Sequence, residues 1–75
     1  MYGNFAMTKD SAELVKAGSL RAVECLTQVL EDARLGYSDD EMRGLHRSVG
    51  LLIGQIQMEL LEPIYKRYPE MDDLA

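Results

Sequence analysis

The side chains that could carry chemistry in this chain are few: one histidine, one cysteine and a handful of clustered carboxylates. His46 stands between Arg43 and Arg47. Acid–base catalysis there would need a nucleophile or a carboxylate held against the imidazole; a carboxylate from a facing first helix could serve, but the sequence alone does not place one. The two arginines could hold an anion or an acidic partner, although the pattern reads better as a solvated helix face. Glu59 and Glu62 are three residues apart, a spacing that recurs in carboxylate metal sites. Those sites also use Glu-x-x-His from facing helices, which is absent.

Asp39-Asp40-Glu41 and Asp72-Asp73 lack the alternating oxygen ligands and the glycine of a calcium loop. Cys25 falls at the edge of an apolar stripe and reads as a small packing residue rather than a reactive thiol. There is no CxxC, no GxSxG and no Gly-rich phosphate loop. The expectation is a non-enzyme with no catalytic residue, no cofactor and no metal.

Two helices must position whatever these residues do. Asp10 with Glu13 resembles a capping box, and the first helix is expected from Asp10 over about 25 residues. At roughly 100° per residue, Ala12, Val15, Ser19, Ala22, Val23, Leu26, Val29, Leu30 and Ala33 fall on one stripe. Gly36 is expected to end this helix as a left-handed residue. Ser38 followed by Glu41 is a full capping box, with Tyr37 and Met42 placed as a hydrophobic staple. Three residues between two long helices imply an antiparallel hairpin.

The second helix is expected from Asp39 to about Glu62. Its main stripe is Met42, Leu45, Val49, Leu52, Ile53, Ile56 and Leu60. Gly50, Leu51, Gly54, Met58, Leu61 and Tyr65 occupy the back, so from residue 49 to residue 61 the helix is apolar or small nearly all round. A helix apolar on every side is buried on every side, and one facing helix covers only one side. Glycines at i and i+4 in a helix interior together cost about 2 kcal/mol against alanine, which asks for a compensating close approach. These six residues are therefore the expected interface. Pro63 stops or kinks the helix, with a short helical turn after it, and Pro69 ends that turn.

Size and charge bound the rest. At 75 residues and net charge −5, the chain is one small domain, the kind that buries only about 60% of its unfolded surface. A single cysteine excludes an internal disulfide, so association with another chain is the remaining staple. Lys+Arg 8 against Asp+Glu 13 is the wrong sign for binding a phosphate backbone. Residues 1–7 lack a basic start and an apolar run, and residues 49–58 are interrupted by Gln55 and Gln57, too short for a membrane span.

The expected organisation is a mobile arm over residues 1–9, a hairpin over residues 10–68 and an acidic tail over residues 69–75. The expected fold class is all-α, an antiparallel two-helix hairpin that dimerises into a four-helix bundle. The expected role is a cytoplasmic, homodimeric adaptor or regulator, with no nucleic-acid or membrane partner. The alternative is a small chaperone or inhibitor that binds a different protein through the back of the second helix.

Overall fold

In a computed structural model the described residues form only helices and the turns that join them. Residues 7–72 are described; residues 1–6 and 73–75, which include Tyr2, Phe5 and Leu74, lie outside that range. Helix α1 spans Lys9–Ala33 and helix α2 spans Asp39–Ile56. A π turn over Gln57–Leu61 leads into α3, Glu62–Arg67, and a 3-10 turn at Pro69–Met71 closes the described chain. The two long helices pack side by side as the hairpin the short connection requires.

The ends of the helices follow local chemistry, with two corrections. α1 is capped by Thr8, not Asp10: the Thr8 hydroxyl accepts from the Ser11 amide at 3.1 Å. Thr8 and Asp10 are both cap-forming residues, and capping from Thr8 adds Lys9 and Asp10 to the helix. At the other end no residue adopts a positive φ, so Gly36 is not left-handed. Instead the Ala33 carbonyl accepts from both Gly36, at 3.1 Å, and Tyr37, at 2.9 Å. The turn closes without a left-handed residue. The capping box of α2 is present in full. The Ser38 amide donates to Glu41 Oε1 at 2.9 Å, and the Glu41 amide donates to the Ser38 hydroxyl at 3.2 Å.

Pro63 does not break the second helix; it changes its winding. Proline has no amide for the Glu59 carbonyl, and its ring crowds that carbonyl in regular α geometry. The chain relieves this by widening the preceding turn, where the Glu62 amide bonds to the Gln57 carbonyl, an i→i+5 link. A π turn takes up one extra residue. Everything after it is rotated back by roughly 100° relative to a continuous α-helix. Leu61, which regular winding would place about 120° from Val49, therefore comes round to the inner side and is 3% exposed. Ile64 follows it and is 2% exposed.

The core is small and divided. Ala12, Ile64 and Met71 form one cluster, with Met7, Tyr65 and Tyr68 packed against it. Val49 and Leu61 are buried along the hairpin seam, with Ser19 as a small side chain between the helices. Residues 69–72, expected within the tail, are part of this packed body. The Tyr68 hydroxyl donates to the Met7 carbonyl at 3.0 Å, Lys16 Nζ donates to the Met71 carbonyl, and Lys9 pairs with Glu70 at 3.2 Å. Residues 68–72 thus form a strap across the start of α1. The same contacts bring Met7 and Lys9 out of the arm and into the domain.

Candidate interaction surface

The residues that could have carried chemistry are spread over the outer surface. His46 and Arg47 are exposed, and Arg43 is taken by an ion pair with Asp40 one turn earlier. Glu59 and Glu62 are exposed with no third ligand. Among the described residues no group of three His, Cys, Asp or Glu side chains converges as a metal ion would need. Glu70, in the strap, pairs with Lys9. Its pKa is lowered, first by a hydrogen bond from its own backbone amide and then by Lys9. Both contacts favour the charged form, so this tie at the strap is present above the ordinary carboxylate range and is lost as pH falls below it.

The six residues expected to form one face do not stay together. Gly50, Leu51 and Met58 point outward, with Leu51 and Met58 67% and 68% exposed. Leu61 is buried within the chain, and Tyr65 is half-buried with the Lys16 ammonium 5.7 Å from its ring centroid. The π turn makes this division. It leaves the residues before it on the back of α2 and winds Leu61 and Tyr65 towards α1. Gly54 is half-buried, yet a Cβ built on it or on Gly50 would meet nothing within 4 Å. Within one chain neither glycine is required by a neighbour.

Gly50→Ala should therefore stabilise the isolated hairpin by about 1 kcal/mol through helix propensity alone. The urea midpoint at low protein concentration reads this directly. A lowered midpoint would mean that another helix closes on Gly50.

A different apolar surface opens along one side of the hairpin. Ala22, Cys25 and Leu26 of α1 face Leu52 and Ile56 of α2 and Leu60 of the π turn across a groove of about 760 Å³. Only Gln55 and Glu59, on the α2 side, bring polar groups to its lining. Leu52 and Leu60 are each nearly half exposed. Cys25 is exposed on the α1 wall, as a free thiol rather than a packed core residue. Both helices built this groove from their main stripes. The flanks of those stripes extend beyond the line of contact, because two cylinders touch along a seam and leave the shoulders open.

Sequence patterning places Ala22, Leu26, Leu52, Ile56 and Leu60 on the two main stripes, with Cys25 at a flank, and expects those stripes to meet within the chain; the groove shows them only partly covered. The signal that separates them is stripe width. A stripe of roughly 120° is wider than one antiparallel neighbour covers.

The other side of the hairpin carries a second cavity, of about 700 Å³, beneath the strap. It is lined by Lys16 and Lys66 and by Glu62 and Asp72, with Leu20, Gln57, Leu61 and Tyr65. Two cations against two carboxylates leave no net field for an ion of either sign. Among the described residues no helix is long and apolar enough to cross a membrane. Comparison of the chain with protein-family models, with curated proteins and with solved structures finds no match.

Proposed function

We propose that this chain is a non-enzymatic helical protein that acts through protein–protein contacts and pairs with a second copy of itself, as a small adaptor or regulator. The observation that carries this reading is the imbalance between core and surface. Among the described residues five apolar side chains are buried, and one of these is Ala12. Ten large apolar side chains stay 42–94% exposed, among them Leu35 at the hairpin turn, Leu51 and Leu52 on α2, and Met58 in the π turn. Scattered exposed leucines are ordinary, whereas an apolar groove bounded by two helices marks an interaction site. A core this thin gains stability from any partner that binds the folded state alone.

Light scattering behind a sizing column, over a wide concentration range, tests this reading. The expected mass is twice 8.5 kDa, with a thermal midpoint that rises with protein concentration. A mass of 8.5 kDa at every concentration would overturn self-association. A different protein would then be the occupant of the apolar surface, the chaperone-like or inhibitor-like alternative.

A further inference from the structure

We propose that Met71 is an oxidation site whose sulfoxide releases the strap, opening that end of the hairpin while α1 and α2 stay folded. This response needs no second copy and is independent of the self-association reading.

The strap hangs on one apolar contact. Of residues 68–72 only Met71 is buried, 7% exposed against Ala12 and Ile64. Tyr68 leaves helical geometry at φ −131° and ψ 77°, so the 3-10 turn after it is a separate unit and not a continuation of α3. Lys9 and Glu70 join through side chains that are each about half exposed, a class of ion pair that adds little stability.

Oxidation strikes that one contact. An oxygen atom passes from hydrogen peroxide to the Met71 sulfur: the O–O bond breaks, an S–O bond forms, and water leaves. The thioether is oxidised as the peroxide is reduced, and the product is a polar sulfoxide whose oxygen requires a hydrogen-bond donor. The side chains of Ala12 and Ile64 have none, and the Tyr68 hydroxyl is already given to the Met7 carbonyl. Water supplies the donor once the strap lifts, which also uncovers Ala12 and Ile64. Reduction of the sulfoxide by methionine sulfoxide reductase reverses the change.

Met58 and Met42 lack this leverage. Met58 is 68% exposed, so its sulfoxide is solvated as it forms. Met42 lies near the start of α2, at the other end of the hairpin from the strap. Met7 packs on the same cluster and is the rival that the experiment must separate.

The full chain is treated with dilute hydrogen peroxide, quenched at intervals and digested briefly with trypsin, while mass spectrometry locates each sulfoxide. Met58 should oxidise first and leave cleavage at Lys66 and Arg67 unchanged. As oxygen enters Met71, cleavage at this pair should quicken by about tenfold, with the circular dichroism of the two long helices retained. Methionine sulfoxide reductase should restore the slow rate. Met71→Leu, an apolar exchange of similar size, should cleave slowly both before and after peroxide, whereas Met7→Leu should still open on oxidation. Should Met71→Leu already cleave fast untreated, the wild-type time course decides, because cleavage must follow the sulfoxide at Met71 and not that at Met58.

Faster cleavage in peroxide-treated Met71→Leu would overturn the assignment, and opening that vanishes in Met7→Leu would move the site to Met7. Oxidised Met71 with unchanged cleavage would overturn it too, since the closed strap would then hold the sulfoxide. So would a Met71 that stays unmodified after Met7, Met42 and Met58 have reacted. Loss of all helicity on oxidation would replace strap release with unfolding of the whole domain.

Discussion

Ile64→Ala should lower the stability of this protein by about 3 kcal/mol, within the range for truncating a buried isoleucine. Ile64 is 2% exposed and joins Ala12 and Met71 in the cluster that ties α3 to α1. The lost methyl groups leave a gap that Ala12 is too small to fill and that Met71 fills only in part. A 75-residue domain has about 4–11 kcal/mol in total at typical values per residue, so this one change removes a large fraction. Urea denaturation followed by circular dichroism, at one fixed protein concentration, gives the number. A loss below about 1 kcal/mol would show that α3 does not pack on α1 as described. The winding assigned to the π turn would fall with it.

The second large effect is expected at Met71. Met71→Asp puts a carboxylate where 7% of the side chain is exposed and where the immediate apolar neighbours are Ala12 and Ile64. An unpaired charge is not held in such a place. The strap can peel away, however, because what holds it besides Met71 is a set of separate polar ties, among them Tyr68 to the Met7 carbonyl, Lys16 to the Met71 carbonyl, and Lys9 to Glu70. Release of the strap sets a ceiling on the cost, so the loss should be about 2 kcal/mol and local rather than global.

Lys66 and Arg67 end α3 immediately before the strap, which gives the local event its own readout. Tryptic cleavage at this pair should quicken by tens of fold in Met71→Asp while α1 and α2 stay resistant, as expected when a segment opens independently of the rest. Unchanged cleavage with an unchanged midpoint would mean that Met71 is not a packed residue. Equal acceleration at sites throughout α1 would mean that the strap and hairpin unfold together.

These two predictions concern the part of the fold that sequence patterning reads least well. Ser38, with Glu41 three residues on, declares the start of α2 because a capping box is a local arrangement of four residues that needs no tertiary contact. The hairpin is equally local in origin, since two amphipathic stripes joined by a short connection have one way to meet. Thr8 displaces Asp10 as the cap of α1 by extending the helix two residues, a difference within the usual uncertainty of helix ends. Gly36 was the natural place for a left-handed residue, but the double hydrogen bond to the Ala33 carbonyl closes the turn in right-handed geometry.

By itself, then, the sequence determined an all-helical hairpin, its capped second helix and an excess of apolar surface over what one hairpin covers. What only tertiary structure decided is which apolar residues are left over. Helical-wheel angles assume constant winding, and the π turn breaks that assumption at Gln57–Leu61. Pro63 signals a disturbance there, yet whether a proline ends, kinks or widens a helix depends on what the following residues gain by packing. Here Leu61 and Ile64 gain burial, Met71 completes the cluster, and the strap holds the end of the hairpin closed. The wheel is rotated after residue 57, Leu61 leaves the back of α2, and the open apolar surface becomes the groove between Leu26 and Leu52.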